Sequence, residues 1–190
     1  MKKKAPGNVN IEWDPGEVNP KQKEFLDSHT LFTCYGGAKG GGKTHIVRIK
    51  AIGAALVGYP GIKILIMRKT YNELEENHIR PILRMVSPEL FSYNNTPHLM
   101  TLENGSTIKF GHWSGEESFN EYNGLEYDWI FIDEATQFTE REFRVLGGCL
   151  RGANKIPKRF YLTCNPGGVG HRWVKRLFVS KKYITNDPNP

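Results

Sequence analysis

Leu31-Phe32-Thr33-Cys34-Tyr35-Gly36-Gly37-Ala38-Lys39-Gly40-Gly41-Gly42-Lys43-Thr44 is an apolar, β-prone run that stops at two glycines, passes through a glycine-rich turn and ends in Lys-Thr. It predicts a buried strand over Leu31 to Tyr35, followed by a helical pattern from Lys43 to about Val57. Gly37 to Thr44 satisfies G-x-x-x-x-G-K-[ST], and it lies where that pattern has a mechanism, between a strand and a helix. The glycines Gly37, Gly40, Gly41 and Gly42, with Ala38, let backbone N–H groups turn inward around phosphate oxygens. The helix N-terminus adds positive potential, Lys43 can bridge terminal phosphates, and the Thr44 hydroxyl can ligate Mg²⁺. Lys39 has two readings, a solvated loop charge or a second cation over the terminal phosphate.

Working outward, Gly58, Pro60 and Gly61 stop the helix, and Ile62 to Met67 form a second apolar strand. Tyr71 to Val86 reads as a helix broken at Pro81. Leu99 to Leu102 and Thr107 to Phe110 flank Asn104-Gly105, which predicts an inserted β-hairpin closed by a type I′ turn. Tyr127 to Ile132 and Arg159 to Cys164 are further strands, with helices over Glu140 to Leu150 and His171 to Phe178. Strands alternating with helices predict an α/β fold, a mostly parallel sheet covered by helices on both faces. Residues 1–20 carry Lys, Asn, Pro and Gly without periodicity and read as a flexible arm; the domain proper is 21–190.

The second chemical signal is Tyr127-Asp128-Trp129-Ile130-Phe131-Ile132-Asp133-Glu134, an apolar strand ending in two carboxylates. Beside a phosphate loop, Asp133 suits holding Mg²⁺ through water, and Glu134 suits polarising an attacking water. A binding switch often lacks the second acid, so the pair favours ATP hydrolysis. About ninety residues separate loop and acids, room for an extra strand between them, which suits the additional-strand, catalytic-glutamate class of P-loop ATPases. Strand Arg159 to Cys164 runs into Asn165-Pro166-Gly167-Gly168, so Thr163 and Asn165 would emerge at the same sheet edge as the phosphate loop. They are candidate γ-phosphate sensors, or else an ordinary strand-to-turn junction. Gln22, just before the first strand, has the paired donor and acceptor needed to read an adenine edge.

The chain has 190 residues, 38% of them hydrophobic and 24% charged, with 20 glycines and 11 prolines in no collagen-like period, which excludes disordered and fibrous classes. A net charge of +6 favours polyanionic partners. Cys34, Cys149 and Cys164 lie far apart in sequence, arguing against a zinc site or a disulfide framework and for a reducing, cytoplasmic setting. His98, His112 and His171 have no partners at ligand spacing and read as surface or hydrogen-bonding residues. No stretch approaches the ~18 apolar residues of a membrane span.

Taken together, Gln22, Gly37 to Thr44, YDWIFIDEATQF over Tyr127 to Phe138, and LTCNPGGVGH over Leu162 to His171, in this order, resemble the large terminase subunit of tailed bacteriophages. The resemblance spans about Lys21 to Phe178. It implies the ATPase core of a motor that drives double-stranded DNA into a procapsid in the host cytoplasm, as a homo-oligomeric ring of about five subunits on a portal, with a small terminase subunit as partner. It implies ATP and Mg²⁺ as ligands, Gln22 at the adenine, Lys43, Thr44 and a basic Lys39 in the phosphate loop, Asp133 on magnesium, Glu134 as the catalytic acid, and Thr163 to Asn165 coupling hydrolysis to movement. Set against the family pattern, the lid subdomain and the nuclease are absent, so an isolated chain is expected to be monomeric, slow in turnover and unable to cut DNA. Where relatives often place a trans-acting arginine, this sequence has Asn123-Gly124, leaving Arg80, Arg84 and Arg151 as candidates. Lys39 stands where relatives often carry arginine. Arg172, Lys175, Arg176, Lys181 and Lys182 form a basic C-terminal group that either touches DNA or is simply solvated. A superfamily-2 helicase-like ATPase and a non-hydrolysing ATP-binding assembly factor are the alternatives.

Overall fold

The computed structural model describes residues 13–14, 16–37, 40–184 and 187; most of the expected N-terminal arm, and Ala38 and Lys39 of the loop, lie outside them. Seven strands form one sheet in the order β1-β7-β6-β2-β5-β4-β3, where β1 is Phe32–Gly36, β2 Lys63–Arg68, β3 Phe91–Asn94, β4 Leu99–Leu102, β5 Thr107–His112, β6 Trp129–Ile132 and β7 Arg159–Cys164. The pairs β1·β7, β7·β6, β6·β2 and β2·β5 are parallel, whereas β5·β4 and β4·β3 are antiparallel.

Side chains alternate across the parallel strands and build one core on each face. Ile64, Ile66, Trp129, Phe131 and Tyr161 point to one side, where α1 (Pro20–Asp27), α2 (Lys43–Gly53) and the α3 region cover them. Leu65, Met67, Ile130, Ile132, Phe160 and Leu162 point to the other, under α5 (Glu117–Tyr122), α6 (Glu140–Gly148) and α7 (His171–Val174).

Four sequence-based expectations change. The first strand lies at an edge of the sheet, bonded only to β7, and is half-buried rather than buried. The strand that separates β1 from β6 is β7, from the far side of the acidic pair, whereas the stretch between loop and acids supplies β2 to β5. The helix is not broken at Pro81: α3 (Tyr71–Leu74) passes through a π-helical turn, Glu75–Ile79, into α4 (Arg80–Met85). Proline has no N–H to offer the carbonyl four residues back, and that carbonyl, of Asn77, accepts instead from the Arg48 guanidinium. In the hairpin only Gly105 has positive φ, at +83°, so the turn is a type I turn followed by a left-handed glycine rather than type I′. Asn104 stays right-handed because its amide is committed, donating to the carbonyls of Ala55 (2.7 Å) and Leu56 (3.2 Å) and accepting from Ser106 N–H (3.0 Å). The hairpin is continuous with the main sheet, since β5 pairs in parallel with β2 and β3 joins at the far edge.

Helix α1 begins with a capping box: Asn19 and Gln22 exchange side-chain and backbone bonds, each 2.9 Å, ahead of Pro20. Its C-terminal end is held by a buried lysine of α2. Lys50 Nζ donates to the carbonyls of Phe25 (3.0 Å), Leu26 (2.6 Å) and Ser28 (3.1 Å) and sits 4.6 Å from the Tyr161 ring centroid. Replacing Lys50 with Met keeps the apolar stem and removes all three donors, so thermal unfolding should shift down by roughly 4–8 °C, equivalent to about 2 kcal/mol. An unchanged melting temperature would show that α1 does not depend on this contact.

Candidate active site

The C-terminal ends of β1, β2, β6 and β7 meet at one edge of the sheet, and the loop after β1 turns there into α2. Gly42 caps α2 with φ +68°, and a Cβ on it would collide with the Gln22 amide nitrogen, so a side chain is excluded on two grounds. Lys43, 8% exposed, lays its ammonium back over the loop, with Nζ 3.1 Å from the Gly37 carbonyl. A cavity of about 520 Å³ opens beside it, lined by Asn19, Lys21, Tyr35, Gly37, Gly41 and Lys43 among others.

Thr44 Oγ1 donates to Asp133 Oδ2 at 2.8 Å, closing the gap between loop and acidic strand. Asp133 is fully buried, and three further donors converge on it. Arg68 at the end of β2 gives Nη1 at 2.6 Å and His78 gives Nε2 at 3.0 Å, both to Oδ2, while the Thr163 hydroxyl bonds Oδ1. Burial alone would raise the Asp133 carboxyl. The hydrogen bond from His78, the charge of Arg68 and the Thr163 hydroxyl outweigh it and hold the group well below the usual carboxylate range. Burial pushes His78 below its ordinary value against the opposing pull of Asp133, and its Nδ1 is buried without a partner.

Glu134 follows in the left-handed region at φ +60°, its side chain 29% exposed and its Oε1 3.9 Å from Arg68 Nη1. Its N–H donates to Thr163 Oγ1 at 3.1 Å, and its carboxylate accepts from Asn165 Nδ2 at 3.0 Å and Gln137 Nε2 at 3.2 Å. The segment after β7 packs onto the short 3₁₀ turn Ala135–Gln137. Gly170 N–H donates to the Thr136 carbonyl at 2.8 Å, and Gly168, at φ +81°, brings its backbone so close that a Cβ would collide with that carbonyl oxygen.

Of the sequence-predicted set, Gly37, Gly40, Gly41, Gly42, Lys43, Thr44, Asp133, Glu134, Thr163 and Asn165 share this edge. Thr163 and Asn165 contact the two acids, Thr163 bonding Asp133 and the Glu134 N–H and Asn165 bonding the Glu134 carboxylate. Gln22 reaches the loop, its Nε2 3.4 Å from the Gly42 carbonyl, while its Oε1 is taken by Asn19 N–H. Sequence reading missed Arg68, His78 and Gln137. For Arg68 a signal existed, a charge that ends the apolar run of β2. Cys34 and Cys164, far apart in sequence, place their sulfurs 3.7 Å apart as free thiols on the neighbouring strands β1 and β7. His171 Nδ1 accepts from Gly167 N–H at 3.3 Å, and the His98 ring packs at a tilt of 34° against Tyr71, centroids 4.8 Å apart. Among the described residues no group of three or more His, Cys, Asp or Glu could hold a metal ion by itself, and no helix is long and apolar enough to cross a membrane.

Strand order, phosphate loop and acidic pair together define a P-loop nucleotide-binding fold of the additional-strand class, with β7 standing between the loop strand and the acidic strand. A sequence profile of the phage terminase large subunit matches residues 29–189, and the chain belongs to that family. The fold is similar to the large terminase from a thermophilic bacteriophage, with a TM-score of 0.66 and 20% identity over 85% of this chain and 42% of that one. The HK97 bacteriophage large terminase gives 0.66 and 16% over 87% of this chain and 38% of that one. The Thermus phage P74-26 large terminase ATPase domain gives 0.61 and 13%, over 90% and 73%. The chain thus spans about two fifths of the length of the first two of these proteins. None of the curated proteins matches it in sequence.

The Arg68–Asp133 pair is buried on both sides, 7% and 1% exposed. Arg68→Met should therefore destabilise the fold by about 3–5 kcal/mol in denaturant titration, since it strands a buried carboxylate. A loss below about 1 kcal/mol would mean that the other three donors suffice.

Proposed function

We propose that this chain is the ATP-hydrolysing motor domain of a phage large terminase, which drives double-stranded DNA into a procapsid. The observation that carries the reading is the 2.8 Å contact between Thr44 of the phosphate loop and an ionised, buried Asp133, with Glu134 held at the next position. The oxygen donors of Thr44 and, through water, Asp133 suit Mg²⁺, a hard cation. Bound there, Mg²⁺ would neutralise charge on the terminal phosphates. Lys43 and the loop N–H groups then bind and orient the phosphates, and Lys39 adds a second cation over them. Glu134 accepts a proton from the attacking water. The cavity beside Lys21 and Tyr35 has room for the nucleoside end. Gln22, the adenine position by family likeness, has both ends of its amide engaged with Asn19 and Gly42, so reading a base requires that contact to open.

Family membership favours this over a superfamily-2 helicase. ATP-γ-S and ADP complexes of the thermophilic bacteriophage large terminase support nucleotide binding by the fold. The partners proposed on the same basis are double-stranded DNA, further copies in a ring of about five on the portal, and the small terminase subunit, in the host cytoplasm. The motor domain is assigned to 21–190. Among the candidate trans-acting arginines, Arg80 is paired with Glu75 and Glu76 on its own helix, Arg151 lies 3.9 Å from Glu126 beside Asn123 and Gly124, and Arg84 is exposed. Of the basic C-terminal group, Arg176 is engaged by Glu140 and Asp187, leaving the exposed Arg172, Lys175, Lys181 and Lys182 for DNA phosphates.

Glu134→Gln tests the reading. It should retain Mg·ATP binding and lose at least about 100-fold in turnover, measured by phosphate release. Equal turnover in wild type and variant removes Glu134 from catalysis, and absence of turnover in the wild type favours an assembly factor that binds ATP without hydrolysing it.

A further inference from the structure

Glu134 is more tightly specified than its partial exposure would suggest. Each of its carboxylate oxygens is taken by a different side-chain amide: Oε1 accepts from Asn165 Nδ2 at 3.0 Å and Oε2 from Gln137 Nε2 at 3.2 Å. A carboxylate only accepts, so both amides must turn their NH₂ groups toward it. Their oxygens then point away, and Asn165 Oδ1 and Gln137 Oε1 are both buried without a partner. Leaving buried acceptors unmatched is unfavourable, on the order of 1–3 kcal/mol each. Glu134 itself sits in the left-handed region, which side chains other than glycine seldom adopt. Stability alone would not select this combination of two orphan oxygens and one unfavourable backbone conformation around a half-exposed acid.

The grip is also rigid. Gln137 ends the 3₁₀ turn that begins directly after Glu134, and Asn165 follows β7. The two segments are bolted together by Thr136 Oγ1 donating to the Asn165 carbonyl at 3.0 Å and by Gly170 N–H donating to the Thr136 carbonyl at 2.8 Å. The Trp173 indole donates to the Phe138 carbonyl at 2.8 Å, fixing the end of the turn to α7.

We propose that Gln137 is a positioning residue for hydrolysis: with Asn165 it forms an amide clamp that holds both oxygens of the Glu134 carboxylate in one orientation. This rests on Glu134 being the catalytic base, and it shifts Asn165 from sensing phosphate to holding that base. Gln137 touches no reacting atom and acts only through Glu134.

A double-mutant cycle separates positioning from a structural role. Gln137→Ala in the wild-type background should lower kcat by about tenfold or more while KM for Mg·ATP stays within about twofold. In the Glu134→Gln background the same substitution should change the residual single-turnover rate by less than about twofold, because nothing remains to position. Gln137→Glu keeps the shape but cannot donate to a carboxylate, so it should lower kcat at least as far as Gln137→Ala, and it decides the matter if the alanine variant does not fold. Wild-type kcat in either folded Gln137 variant, or an equal loss in both backgrounds, overturns the clamp. If instead Glu134→Gln turns over like wild type, the assignment of Glu134 as the base beneath the clamp fails, which is a distinguishable result.

Discussion

The edge of the sheet is organised around one buried carboxylate. Asp133 accepts from Thr44 on the phosphate-loop helix, Arg68 on β2, His78 in the π-helical turn and Thr163 on β7, so four separate stretches of chain are fixed by a single side chain. An isolated charge in that position would be strongly unfavourable, and one with four donors, the Arg68 cation among them, is held ionised. The same arrangement that stabilises the fold leaves an anionic oxygen beside the Thr44 hydroxyl, which suits the magnesium site proposed there. Stability and chemistry share the group.

Glu134, one residue later, is handled differently. Asp133 is fully buried and bonded to cationic and hydroxyl donors, whereas Glu134 is partly exposed and gripped by two neutral amides, with the Arg68 guanidinium farther off, 3.9 Å from its Oε1. The two neighbouring acids thus stand in different surroundings, which suits the two roles proposed for them. The segment after β7 links them, because Thr163 bonds the first and Asn165 the second. Any displacement of that segment reaches the base through Asn165, and through Thr136 and Gln137, to which it is packed.

The parts of this site that obey a local spacing rule could be read from sequence. The phosphate loop, the paired acids at the end of an apolar strand and the polar residues after β7 each announce themselves within about ten residues. Arg68 shows only as a charge ending an apolar run and His78 not at all, because what brings both to the site is that β2 and the α3 region pass Asp133 in space, 65 and 55 residues away along the chain. The type I′ expectation failed for a similar reason: the Asn104 amide is claimed by carbonyls of Ala55 and Leu56, some fifty residues distant. Pro81 suggested a break on a local rule, and a guanidinium from α2 removed the need for one. Strand order was the least accessible feature, since placing β7 between β1 and β6 is a matter of topology rather than of any residue's preference.

The central claim is that Lys43 and the Thr44–Asp133 contact form a site for Mg·ATP. Calorimetric titration of ATP-γ-S in the presence of Mg²⁺ tests it most directly, comparing wild type with Lys43→Ala and with thermal melts to confirm that both are folded. The account predicts stoichiometric binding to wild type and a loss of at least about 100-fold in affinity for the variant, corresponding to about 2.7 kcal/mol. Equal affinity in two folded proteins would contradict it.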